Sequence, residues 1–241
     1  MSANTLVQAA RELAAAVSGL TFSAPATHVY NPLDYAWAPH DQYIRRYGEG
    51  RKRIIFLGMN PGPFGMTQIG VPFGEIAAAR DWLQLDAPVK RPPVENPARP
   101  IEGWACPRSE VSGKRLWGLF RERFVTPQAF FAEHFVANYC PLAFFDGGRN
   151  LTPDKLAAAE IIPLLAACDR HLQRVAAATG AQWVIGIGAY AEVQAIRALV
   201  GTDVRIGRIL HPSPASPAAN RDWAGQATLA MEKLGLWKNA G

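Results

Sequence analysis

Short apolar runs alternate along this chain with longer stretches of helical periodicity. Four runs have strand length: RIIFLG (53–58), HFVANYC (134–140), QWVIGIG (182–188) and VRIGRIL (204–210). Each is nearly continuous in apolar character rather than alternating, the pattern of parallel strands buried on both faces. Helical patterns lie between them, over 114–124 (KRLWGLFRERF), 152–180 and 189–201 (AYAEVQAIRALVG), and a last one follows in AANRDWAGQATLAMEKLGL. In the long pattern Thr152 reads as N-cap, Pro153 falls in the first turn, Gly180 is the stop, and Pro163 is expected to kink the helix or split it. Near the N-terminus, Leu6, Ala10, Leu13, Val17 and Leu20 share one stripe of an amphipathic helix.

Strands alternating with helices predict βαβ units and a parallel sheet covered on both sides. The expected fold is α/β, a single domain over residues 1–241 with residues 1–27 as a helical extension; no repeat or linker divides it. One segment, 86–113, has six prolines and no sustained periodicity. A loop of that length inside a compact domain is more often functional than idle. Order is expected there, because Ile101, Trp104 and Val111 would otherwise be left in water.

Composition narrows the class. Hydrophobic residues make up 49% and charged residues 19%, which excludes a disordered chain. The net charge of +5 permits a polyanionic partner without requiring one. No stretch approaches the roughly 20 apolar residues of a membrane span. Arg11 and Glu12 interrupt the N-terminal helix, so it does not read as a signal peptide. Cys106, Cys140 and Cys168 are far apart and odd in number, lacking the spacing of a disulfide framework, a zinc site or an iron–sulfur cluster. Buried reduced thiols in an intracellular protein are expected, with no metal and no cofactor.

In an open parallel sheet, ligands bind beyond the carboxyl ends of the strands. The first run leads into GMNPGPFGMTQIGVPFG (58–74), the second carries Asn138 near its end, and the fourth leads into HPSPASPAAN (211–220). Asn60, Asn138 and His211 are thereby delivered to one edge of the sheet. Each has a plainer reading alone: Asn60 as turn chemistry, Asn138 as a cap, His211 as a satisfied loop histidine. Their coincidence at the ligand-binding edge is what favours a site. His28, His40, His134 and His171 lack that context and read as structural. The glycine-rich loop matches neither nucleotide-binding glycine pattern, and its prolines suggest rigidity rather than a phosphate cradle. In the last loop Ser213 and Ser216 offer hydroxyls for phosphate, and a stiff, narrow loop can enter a base stack. Ser216 also fits as an N-cap with Pro217 behind it.

Together, YNPLDYAW (30–37), GMNPGPFGMTQIGVPFGE (58–75), SEVSGKRLWG (109–118), NYCPLAFF (138–145), GRNLTP (148–153) and HPSPASPAAN (211–220) resemble, in order, the segments of the single-strand-selective monofunctional uracil-DNA glycosylases. Matching stretches run from about residue 28 to residue 236. The resemblance implies a three-layer α/β/α sandwich around a short parallel sheet. It implies DNA repair by hydrolysis of the N-glycosidic bond of uracil and related damaged pyrimidines, leaving an abasic site. It maps Asn60 to positioning the attacking water and His211 to bonding O2 of the departing base. Phe73 is mapped to stacking on the flipped ring, Asn138 to reading the uracil edge, and Met59 and Gly62 to lining the pocket. Ser213, Pro214, Ala215, Ser216, Pro217 and Ala218 form the loop that meets DNA. Ala215 departs from the family, which carries an arginine there; this puts strand grip and stack insertion in question.

No lysine in these motifs is placed to form a Schiff base, so the enzyme is expected to be monofunctional. Arg91, Arg108, Lys114 and Arg115 are further candidates for the DNA face. The expected partner is single- or double-stranded DNA bearing uracil or a modified uracil, with 5-hydroxymethyluracil and xanthine as unranked alternatives. A monomer is expected, at the nucleoid in a bacterium or in the nucleus of a eukaryote. Another branch of the superfamily and a non-catalytic lesion-binding module remain the competing readings.

Overall fold

The computed structural model describes residues 2–238. Among the described residues seven strands form: β1 (His28–Tyr30), β2 (Ile54–Gly58), β3 (His134–Asn138), β4 (Ala143–Asp146), β5 (Arg149–Leu151), β6 (Trp183–Ile187) and β7 (Arg205–Ile209). The helices are α1 (Ala3–Ser18), α2 (Pro32–Tyr35), α3 (Trp37–Tyr47), α4 (Met66–Ile69), α5 (Val111–Phe124), α6 (Pro127–Phe131), α7 (Ala158–Thr179), α8 (Ala189–Ala198) and α9 (Pro217–Lys233). The four predicted strands make one parallel sheet in the order β3-β2-β6-β7. Strands β2, β3 and β6 are almost wholly buried, as their continuous apolar runs require. Strand β7 differs: Arg205 and Arg208 are exposed on opposite faces, Arg208 pairing with Glu192 of α8 and Arg205 lying over the Trp183 ring.

Alternation along the strands fixes which helices lie on which face. Phe56 of β2 packs against Phe120 of α5 and Phe130 of α6. Phe135 of β3, of opposite parity, stacks on Tyr43 of α3. Helix α8 covers this second face closely, since a Cβ on Gly186 would come within 2.4 Å of the Glu192 backbone nitrogen. Helix α1 packs on α3 and α7, with Leu6, Ala10, Leu13 and Val17 buried as its stripe predicts. The result is a three-layer α/β/α arrangement.

Three expectations change. The long helix does not begin at Thr152: residues 153–155 make a single 3-10 turn, Leu156 and Ala157 are extended, and α7 starts at Ala158. Leu156 is buried by this detour. Pro163 is the sixth residue of α7, past the first turn, so its missing N–H leaves Ala159 O without its intrahelical bond, yet α7 runs through it as one helix. A second, antiparallel sheet, β1-β4-β5, was not read from the sequence. Its β4–β5 hairpin turns at Gly147-Gly148, with Gly147 at φ 54°. Segment 86–113 is ordered, but Val111 stays exposed.

Gln68 of α4 pins that segment. Its Oε1 accepts from the N–H groups of Glu102 (2.8 Å) and Gly103 (3.1 Å), and its Nε2 donates to the carbonyls of Pro63 and Pro100. Trp104 donates to Ala87 O at 2.8 Å, and Asn96 reaches Gly147 O at 2.7 Å.

His40 and His134 are buried, with Nδ1 against Gly70 O (2.7 Å) and Phe130 O (2.9 Å). Burial lowers both to about 4. Between that value and 6.5 the unfolded chain binds more protons, so stability should fall as pH drops through this window. The slope is about 1.4 kcal/mol per pH unit for each histidine. Thermal unfolding followed between pH 7 and pH 4 checks this; a midpoint that does not fall would contradict it.

Candidate active site

The carboxyl ends of the parallel strands open into a cleft of about 630 Å³. Its floor follows from strand register. Gly58 and Asn138 are paired across β2 and β3, so their side-chain directions share one face. Because Gly58 has none, two groups occupy its space. A Cβ there would lie 2.2 Å from Asn138 Oδ1 and 2.5 Å from Cε2 of Phe73. The amide and the phenyl ring are therefore neighbours because residue 58 is glycine.

Asn138 is buried, and its Nδ2 meets the Met66 sulfur at 3.2 Å. Its Oδ1 is buried without a hydrogen-bond partner among the described residues. An unsatisfied buried carbonyl of this kind costs about 1–3 kcal/mol, and a ligand N–H would satisfy it.

Phe73 holds φ at 52°, a strained conformation for an aromatic residue. The strain is held in place by its carbonyl, which accepts from Trp117 Nε1 (3.0 Å) and Glu75 N (2.7 Å). Gly113 at the start of α5 lies so close that a Cβ would sit 2.1 Å from that carbonyl oxygen.

His211 follows β7 and packs on Gly188, whose φ of 92° and missing Cβ allow the approach. The His211 and Phe73 rings are 6.4 Å apart between centroids. Burial lowers the His211 pKa, which keeps the imidazole neutral near pH 7, with one donor and one acceptor nitrogen. Asn60 lies on the loop after β2, itself tied to the chain after β3 by Tyr139 N to Gly58 O (2.9 Å) and Cys140 N to Met59 O (2.8 Å). Its Nδ2 donates to Leu142 O at 3.3 Å, leaving the side-chain oxygen as an acceptor.

Met59, Asn60, Gly62, Phe73, Asn138, His211, Ser213 and Pro214 all line this cleft. Ala215, Ser216, Pro217 and Ala218 do not. Ser216 caps α9 by accepting from Ala219 N, Pro217 is the first residue of that helix, and Ala215 is exposed at the loop tip. Ser213 Oγ accepts from Ala215 N at 3.1 Å. Arg115, a candidate for the DNA face, donates to the carbonyls of Pro212 (3.1 Å) and Ser213 (3.3 Å) and to Asn220 Oδ1 (2.8 Å). Arg91 pairs with Glu95, and Lys114 is exposed on α5.

Sequence reasoning missed Glu110. It lines the cleft, accepts from Phe64 N at 3.2 Å, and fills the space a Cβ on Gly62 would take. The space beside Gly62 is thus occupied on that side by a carboxylate. Burial raises the Glu110 pKa, while the N–H groups of Phe64 and Ser112 act to lower it. Nothing in the irregular segment before α5 signalled a half-buried acid. Among the described residues no group of His, Cys, Asp and Glu is placed to hold a metal ion, and the three cysteines are free and buried. Among the described residues no helix is long and apolar enough to cross a membrane.

Comparison with known proteins agrees with this geometry. The model of the uracil DNA glycosylase superfamily matches residues 45–231. A single-strand selective monofunctional uracil DNA glycosylase of Mus musculus is 50% identical over 227 residues, covering 93% of this chain and 81% of that protein. The Bos taurus protein of the same name is 49% identical, covering 90% and 81%. The crystal structure of wild-type SMUG2 from Pedobacter heparinus superposes with a TM-score of 0.69 over 97% of each chain, at 16% identity, and supports the fold alone. With about half its residues shared over nearly its whole length, the chain belongs to the uracil DNA glycosylase superfamily, among the single-strand selective monofunctional enzymes.

Proposed function

We propose that this protein is a monofunctional DNA repair glycosylase that releases uracil from DNA, with Asn60, His211, Phe73 and Asn138 as its working groups. The observation that supports these roles best is one cleft containing an unpartnered amide oxygen, an aromatic face and a neutral imidazole. A base in a stack is out of reach, so the nucleotide must rotate outward, at a cost of a few kcal/mol that is least in single strands. Phe73 then stacks on the ring, an interaction worth roughly 1–3 kcal/mol. Asn138 accepts from uracil N3–H through Oδ1 and donates to O4 through Nδ2. Cytosine presents the opposite polarity at both positions and would leave the buried amide unpaired.

As the C1′–N1 bond breaks, its electron pair moves onto the base and collects partly on O2, while the sugar becomes cationic. His211 donates a hydrogen bond to O2, stabilisation of the oxyanion-hole kind. Asn60 takes up no proton near neutral pH; its free oxygen holds a water against C1′, an orienting contribution. The water oxygen bonds to C1′ and gives up one proton to solvent, the uracil anion takes one up from solvent, and free uracil and an intact abasic sugar result.

DNA bearing 5-hydroxymethyluracil and other damaged bases is a further substrate class to test. The loop that meets DNA, Ser213 to Ala218 (the wedge loop), lacks a cation and a large side chain, which favours single strands over duplex, and the protein would act as a monomer. Incubation with a uracil-bearing oligonucleotide should release free uracil and yield no covalent adduct under borohydride. A trapped adduct, or no uracil at all, would overturn this reading.

A further inference from the structure

Charge is distributed unevenly around the cleft. The wedge-loop rim presents Ser213, Pro214 and Ala215, and the nearby Arg115 is held by backbone carbonyls and Asn220. The opposite rim is built on Phe64. Arg108 lies over its ring with Cζ 4.1 Å from the centroid, and Arg99 with Cζ at 5.3 Å. Neither guanidinium makes an ion pair or donates a side-chain hydrogen bond among the described residues, and Arg99 Nε is buried with no acceptor. By contrast Arg45, Arg91, Arg197 and Arg208 all have carboxylate partners. The acids of the same segment are engaged: Glu95 accepts from Arg91 and from Ile101 N, and Glu110 from Phe64 N.

We infer that Arg99 and Arg108, stacked on Phe64, form a phosphate clamp that grips the DNA strand beside the flipped nucleotide. Stacking on an aromatic ring fixes the plane of a guanidinium and leaves its N–H edges free. Those edges match the oxygens of a phosphodiester bidentately. Phe64 and Arg108 line the same cleft as Asn60 and His211, so the clamp lies on the path of the strand that carries the target. The hydrogen bonds of Gln68 and Asn96 make this rim rigid, although it belongs to a segment without regular structure. The cation missing from position 215 of the wedge loop is thereby supplied from across the cleft.

The inference rests on the glycosylase reading, and two measurements keep them apart. The first is kcat and KM for uracil release from a single-stranded oligonucleotide over a range of salt concentrations. The second is fluorescence anisotropy with the same oligonucleotide carrying thymine, which needs no catalysis. For R108A and for the pair R99A/R108A, affinity should fall roughly tenfold, and the slope of log affinity against log salt should shrink by ~0.7 for each phosphate no longer neutralised. kcat should stay near wild type, and R99K/R108K should restore the slope. An unchanged slope and KM in R108A, which alters an exposed side chain, would overturn the clamp, as would a loss confined to kcat. Failure of the unmodified protein to release uracil would strike the glycosylase reading while leaving the anisotropy slopes to decide the clamp.

Discussion

Replacing Asn60 with alanine is expected to slow single-turnover uracil release by roughly 10²–10³-fold while DNA binding stays near wild type. The amide is the group placed to hold the attacking water. Its backbone is fixed independently by the Cys140 N to Met59 O and Tyr139 N to Gly58 O bonds, so the loop should survive the change. Removing the bond to Leu142 O concerns a partly exposed side chain and should cost about 1 kcal/mol of stability. Equal rates for N60A and wild type would remove Asn60 from the mechanism. A parallel collapse of DNA affinity would show that Asn60 serves binding rather than chemistry.

Gly58→Ala should be comparably severe through a different cause. The added methyl would meet Asn138 Oδ1 at 2.2 Å and the Phe73 ring at 2.5 Å. Both are side-chain tips rather than backbone, so the sheet can accommodate the methyl by displacing them. The displaced groups are those that read and stack on the base, and a misplacement of about 1 Å can cost 10²-fold in rate. The expected result is kcat/KM lowered by about that factor or more, with a thermal midpoint only a few degrees lower. Full activity in G58A would show that the amide and ring do not work from where the structure holds them.

The parallel sheet was legible because strands buried on both faces carry unbroken apolar runs. In β7 the exposed Arg205 and Arg208 interrupt the run, but the apolar positions around them still marked the strand. The three-residue strands β1 and β5 carry too few positions for a period to register, although Gly147-Gly148 was a usable hairpin signal. The strand-end rule located Asn60, Asn138 and His211 with no family in view. Phe73 depended on the resemblance, because a positive φ at a phenylalanine has no signature in composition or spacing. Glu110 and the Arg99–Phe64–Arg108 stack were out of reach for another reason. They sit on segments whose course is set by distant hydrogen bonds, chiefly those of Gln68 and Asn96, rather than by any local period. Ser216 caps α9, as its place before Pro217 suggested.

The decisive comparison is the ratio of excision rates for uracil and cytosine in the same single-stranded sequence, measured for the wild type and for N138D. With the amide in place, uracil should be preferred by about 10⁴ or more, because cytosine would leave a buried carbonyl and a buried N–H unpaired. Aspartate loses the donor to O4 and can accept from the cytosine amino group, so the ratio should collapse in N138D. A ratio unchanged by that substitution would contradict the reading of the base by Asn138 on the floor of this cleft.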